Sequence, residues 1–203
     1  MGGPPPSEGP IEVGCAYPEH IANWRPLVHW LLVIPQVIIA GVLAFAAMTV
    51  AFVAFFTVLF TRNVPLGMHN FMVMALRYSW RVNTYSYWMR ERYPPFDFAP
   101  AARAHDPDVE PDPAILGIER PTELNRWLPL VKWLLAIPHF FYAIGIGILA
   151  IALLIAAFFA VLFTGRYPRG IFDLLVGIQW WGARLSAYLF YLRDEYPSFR
   201  LGR

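Results

Sequence analysis

Three arginines stand in costly places. Arg77, Arg81 and Arg184 fall in the middle of segments rich in Phe, Tyr, Met, Leu, Val and Trp. A guanidinium in such surroundings needs an anionic partner, and its planar fork fits a phosphate or a carboxylate equally well. Arg81 and Arg184 each have a tyrosine four residues on, Tyr85 and Tyr188, so cation and ring fall on adjacent helical turns. The chemistry this predicts is binding. The arginines hold an acidic lipid headgroup or a partner's acid, or they pair inside the chain, with Asp173 as a candidate. Asp173 and its counterpart Asn70 follow Pro/Gly turns, which predicts that they cap the next helix. A protonation site for coupled transport is the other use of an acid placed there.

Nothing in the sequence offers bond-making chemistry. There are no paired carboxylates, no nucleophile elbow, no HExxH and no glycine-rich phosphate loop. The five histidines lack ligand spacing, and one cysteine, Cys15, makes neither an internal disulfide nor a thiolate metal cluster. The expectation is a protein that is not an enzyme and holds no cofactor and no metal. A formal net charge of +2 is too small to predict a nucleic-acid partner.

The elements that position these groups come as a duplicate. Residues Trp24 to Phe96 recur from Trp127 to Phe199 at a constant offset of 103 (127 − 24). The recurrence includes Trp30/Trp133, Pro35/Pro138, Thr61/Thr164, Pro65/Pro168, Arg81/Arg184, Tyr85/Tyr188, Arg90/Arg193 and Tyr93-Pro94/Tyr196-Pro197. Polar positions recur with apolar ones, so a structural unit is repeated. With 58% hydrophobic residues, 15% charged and a mean hydropathy of +0.46, the chain is too apolar for a soluble domain, where about 25% charge is usual.

Each unit opens with tryptophans, Trp24 and Trp30, then Trp127 and Trp133, predicted to anchor at the headgroup level. Long apolar runs follow, ending at Phe60 and Phe163, each longer than the roughly 20 residues that cross a bilayer core. Pro35 and Pro138 start or kink the helix. After a Pro/Gly turn comes a second, amphipathic segment carrying the arginines. The predicted fold is an all-α integral membrane protein, a tandem helical hairpin with four membrane-associated helices. Its parts are a disordered tail at 1–16, a first repeat at 17–98, a Pro/Asp-rich linker at 99–119 and a second repeat at 120–203. Met1–Gly14 has no basic stretch and no apolar core of a signal peptide. If both second segments cross, the tails, lead-ins and linker share one side. They carry more Lys/Arg than the turns with Arg62, Arg166 and Arg169, which places the termini in the cytoplasm. This favours two parallel hairpins over the alternative of two spans whose second helices lie at the interface.

The stretch Leu162-Phe163-Thr164-Gly165-Arg166-Tyr167-Pro168-Arg169-Gly170-Ile171-Phe172-Asp173, the ending Arg193-Asp194-Glu195-Tyr196-Pro197-Ser198-Phe199 and the opening Trp133-Leu134-Leu135-Ala136-Ile137-Pro138-His139 resemble the bacterial membrane family called domain of unknown function 4389. The first copy departs at Gln36, Arg62-Asn63-Val64 and Asn70. The resemblance implies membrane placement, in a bacterial plasma membrane, and brings no catalytic or binding residues. The expected partners are membrane lipids, other membrane subunits or a second copy of the chain. The expected function is a non-catalytic scaffold or accessory subunit. A small transporter, channel or lipid-handling protein with a site between the repeats is the alternative.

Overall fold

Each long apolar run begins at a proline and stops at a left-handed residue. In the computed structural model, which describes residues 11–99, 112 and 114–201, the elements are β1 (Ile11–Cys15), α1 (Arg25–Leu32), α2 (Ile34–Thr61), α3 (Leu66–Ser86), β2 (Ala114–Ile118), α4 (Leu128–Leu135), α5 (Ile137–Thr164) and α6 (Arg169–Leu189). Proline occupies one of the first two positions of α1, α2, α4 and α5, where its missing N–H has no helical partner to lose. Pro35 does not separate α1 from α2. Val33 N–H bonds the His29 carbonyl at 2.8 Å and Val37 N–H bonds the Val33 carbonyl at 2.9 Å, and Ala136 and Phe140 repeat the pattern at 2.9 and 3.0 Å. Each copy therefore has one nearly continuous rod. The second, Leu128–Thr164, is 37 residues, about 55 Å at 1.5 Å per residue.

The rods end at Arg62 (φ 59°) and Gly165 (φ 65°), the left-handed position that closes a helix. The second helices close in the same way at Trp88 (φ 56°) and Tyr191 (φ 58°). There Met89 N–H returns to the Thr84 carbonyl and Leu192 N–H to the Ala187 carbonyl, both at 2.9 Å.

The all-α expectation is corrected by β1 and β2, which pair antiparallel with Val13 opposite Leu116. The tail at 1–16 and the linker at 99–119 are corrected with it. Their described residues include these strands, and the remainder lies outside the described residues. Val13 and Leu116 are themselves 103 apart, so each strand belongs to its repeat, and a pseudo-two-fold axis passes through that pair.

The parallel-hairpin expectation is overturned by contacts at the rod ends. Ile21 N–H bonds the Gly165 carbonyl and Leu124 N–H bonds the Arg62 carbonyl, both at 2.9 Å, and these are the same bond at an offset of 103. Likewise the Tyr17 hydroxyl donates to the Tyr167 carbonyl, while Arg120 donates to the Val64 carbonyl at 2.8 Å. The start of each rod thus sits beside the end of the other. Two rods of this length meet at opposite ends only if they run antiparallel.

On α2 a single stripe of Ala47, Ala51, Ala54 and Val58 is buried, in one cluster with Met72, Val73 and Ala75 of α3. The periodicity is helical, and small side chains let the helices approach closely. Apart from Gln36, which is also buried, the rest of α2 is half-buried or exposed. The amphipathic expectation for α3 is also corrected, because Arg77, Arg81, Thr84, Met74, Tyr78, Val82 and Tyr85 are all buried. Rods form one layer, and α3 and α6 stand between them and the strands.

Candidate functional site

Arg77 and Arg81 lie one turn apart on α3, so their forks reach the same segment. That segment is the return of the chain after Trp88, whose course Pro94 and the residues around it fix. Gln36 Nε2 donates to the Pro94 carbonyl at 2.8 Å, and the Tyr78 hydroxyl donates to Gln36 Oε1. Arg81 Nη1 then meets Asp97 Oδ2 at 2.9 Å and Arg81 Nε stands 3.7 Å from Asp112 Oδ2. Arg77 donates to the Ala99 carbonyl. Arg90, 3% exposed in its side chain, pairs with the other oxygen of Asp112. Asp112 therefore joins two buried cations at the entrance to β2, and its Oδ1 also takes the Ala114 N–H at 2.9 Å.

The second copy makes the same return with different chemistry. His139 Nε2 donates to the Pro197 carbonyl at 2.9 Å, at the positions equivalent to Gln36 and Pro94. Arg184 donates to Ser198 Oγ at 2.7 Å and to the Arg200 carbonyl. Trp180, in the place of Arg77, has the Arg184 guanidinium over its ring at 4.4 Å. Arg200 stands in the place of Asp97, and among the described residues no acid pairs with Arg184.

The predicted arginine–tyrosine pairs do not form. Tyr85 stacks on His29 with ring centroids 4.1 Å apart, and Tyr188 faces Lys132, whose Nζ lies 4.5 Å from the ring. Asp173 is not the partner of Arg81, since among the described residues no hydrogen bond or ion pair joins them. Nor does Asp173 cap its helix. α6 starts at Arg169 behind Pro168, without a side-chain cap, and Asp173 falls a turn inside; Asn70 falls inside α3 in the same way. Trp24, Trp30, Trp127 and Trp133 are 57, 63, 66 and 66% exposed, at the outer ends of the rods.

Sequence reasoning missed a clasp that each copy repeats. The Ala22 N–H bonds Glu91 Oε1 at 2.7 Å, and the Asn125 N–H bonds Asp194 Oδ2 at 2.6 Å. Lys132 Nζ, 2% exposed in its side chain, meets Asp194 at 3.0 Å, and Arg25 meets Glu91 at 3.5 Å. The signal was available as one acid at equivalent exits facing one cation in each lead-in. An open polar cleft of about 410 Å³ adjoins the second lead-in, lined by Arg62, Glu123, Leu124, Asn125, Arg126 and Trp127. Among the described residues no group of three or more His, Cys, Asp or Glu is placed to hold a metal ion.

Titration follows from burial. Burial pushes His69 below its ordinary range, so the unfolded chain takes up a proton near pH 6.5 that the fold resists. Burial pushes the Asp97 carboxyl up, but the Ala99 N–H and the Arg81 guanidinium outweigh it and hold the group below its usual range. Both shifts are downward, so both contributions are present at neutral pH and lost on acidification, first below about 6.5 and then below about 4. Thermal unfolding in detergent from pH 8 to pH 3 is expected to show a two-stage fall in midpoint. Asp97→Asn should shrink the lower stage without abolishing it; a lower stage of unchanged size contradicts the assignment.

These geometries describe ties between the arginines and the chain's own return segments. Nothing among the curated proteins or the solved structures matches this chain. A family model does match, under the description Domain of unknown function (DUF4389), over residues 23–97 and again over 127–200. The two matches reproduce the duplication and cover most of the sequence, and the chain belongs to that family as two tandem copies.

Proposed function

We propose that the protein is a non-catalytic integral membrane protein, a scaffold or accessory subunit whose rods are immersed in lipid and whose arginines hold its own fold. The observation that carries this is the exposure of α2 and α5. Both are long and apolar enough to cross a membrane, and only 17% of each apolar stretch is buried. Phe45, Phe60 and Phe163 are each 75% exposed, and apolar surface on this scale needs lipid or a membrane partner. The internal partners of Arg77, Arg81 and Arg184 favour a structural role over a lipid- or solute-binding one. Membrane lipids, and other subunits or a second copy of the chain, are the partners this surface suits. A plasma membrane with cytoplasmic termini is the corresponding location.

The antiparallel arrangement of the copies favours one second reading, a small transporter or lipid-handling protein, because repeats of opposite orientation are common in transporters. An alkaline wash of membranes tests the main proposal. Retention in the pellet and release only by detergent is the expected result; release by the wash alone would sink it. Ion flux or lipid scrambling in proteoliposomes would move the account to the second reading.

A further inference from the structure

We infer that α2 and α5 lie along the membrane, sunk into one leaflet, rather than crossing it. This rests on the lipid immersion of the rods proposed above and fixes its geometry: the partner is the acyl and glycerol region of a single monolayer.

The argument turns on what lies at the middle of the rods. The pseudo-two-fold axis passes through the Val13–Leu116 pair, so that pair marks the midpoint between the rod ends joined at Ile21–Gly165 and at Leu124–Arg62. Asp112 is four residues from Leu116 along the chain, about 13 Å at 3.3 Å per residue, and it holds Arg81 and Arg90. Trp80 Nε1 donates to the Gly14 carbonyl at 3.1 Å, one residue from the axis, which sets Arg77 and Arg81 beside the strand pair. Ala99, held by Arg77, and Asp112 flank the segment 100–111, whose sequence carries Arg103, His105, Asp106, Asp108 and Glu110. Ile11 is two residues from the axis. Leu201 lies against Gly177, where an added Cβ would stand 3.3 Å from the Leu201 carbonyl carbon.

If the rods stood upright with this midpoint at the bilayer centre, all of these points would fall inside a hydrocarbon core of about 15 Å half-thickness. Asp97, with a side chain 39% exposed, would sit in hydrocarbon, as would both ends of the charged segment. Each such charge is costly there even on the mildest insertion scale, and open strand edges have no place there. Sliding the molecule until its centre reached one interface would lift half of each apolar rod out of lipid. Laid flat, the rods form the lower layer, with α3, α6 and the strands above. The central charges and the ends of the described stretches at Ile11, Ala99, Asp112 and Leu201 then lie on the water side together. The buried cations Arg77, Arg81 and Arg90 and Arg184 of the second copy then lie on the layer toward water, and the positive-inside rule assigns that face to the cytoplasm.

The test is single-cysteine labelling in a Cys15→Ser background, with a membrane-impermeant maleimide applied to right-side-out and inverted vesicles. Glu19→Cys reports one end of the rods and Glu123→Cys the other; both residues are exposed. Labelling of both from the same side only is expected, and labelling from opposite sides would overturn the inference. Thr122→Cys with Arg166→Cys, also exposed, must give the same answer, which guards against a misfolded variant. Phe45→Cys and Ile148→Cys separate this failure from failure of the underlying proposal. Both should resist labelling from either side until detergent is added, whereas labelling in intact vesicles would mean the rods are not in lipid at all.

Discussion

Asp112→Ala is expected to destabilise the protein by about 3–5 kcal/mol, the range for breaking a buried ion pair by removing one partner. The aspartate side chain is 10% exposed and stands between Arg81, 9% exposed, and Arg90, 3% exposed. Arg81 keeps Asp97, but Arg90 loses its only acidic partner among the described residues while remaining buried. Against a total stability of about 5–15 kcal/mol, the loss should show as reduced folded yield and a much lower unfolding midpoint in detergent. Asp97→Ala provides the contrast. Its side chain is 39% exposed, so solvent screens the pair and the cost should stay near 1 kcal/mol. If the two variants melt together, Asp112 is not the buried junction described here.

Gly165→Val is the second large effect. The glycine has φ 65°, and a Cβ there would lie 2.8 Å from both Asn23 Oδ1 and His20 Nε2 and 3.2 Å from the Ile21 carbonyl oxygen. A β-branched residue adds about 1–2 kcal/mol of left-handed strain to a collision with the segment whose N–H the same glycine accepts. The expected outcome is loss of the junction between the copies, read as a drop of more than about 2 kcal/mol in stability. The opposite change tests the cause. Arg62 occupies the equivalent position at φ 59° with a side chain in place, so Arg62→Gly should raise the midpoint by about 2–4 °C. A fall with Arg62→Gly would show that backbone strain does not govern these ends.

The helices were legible because their signals are local. Pro35 and Pro138 mark the starts of the long helices, Gly165 marks a stop, and an offset of 103 carries these marks from one copy to the other. The strands were not legible for the opposite reason. Ile11–Cys15 and Ala114–Ile118 are five residues each and pair across about a hundred residues, and only Gly14/Gly117 carries the offset as an identity within them. Antiparallel copies were equally hidden, because their orientation is set by Ile21 on Gly165 and Leu124 on Arg62 and leaves no trace in periodicity.

The site was half legible. That Arg81 needs an acid followed from its setting, but the acid lies in segments that read as solvated, Asp97 and Asp112 rather than Asp173. Proximity in the fold, not position on a hairpin, decides the pairing. Lys132 was legible only as part of a tryptophan-flanked lead-in, and its burial against Asp194, Tyr188 and Tyr191 required the return of the chain after α6 to be known. The Arg184 side chain shows how the copies have diverged: the same return is held by a hydroxyl, a carbonyl and a tryptophan ring where the first copy uses two carboxylates.

The antiparallel joining of the two copies underlies every functional statement above, and a distance between rod ends tests it most directly. Spin labels at Phe60→Cys and Phe163→Cys in a Cys15→Ser background, both positions 75% exposed, report the two equivalent ends by double electron–electron resonance in lipid nanodiscs. Antiparallel rods place the labels roughly 50 Å apart, close to the span from Arg25 to Phe60 along α1 and α2 at 1.5 Å per residue. A main distance below about 25 Å, the separation of neighbouring ends in side-by-side parallel copies allowing for helix width and label arms, would contradict the account.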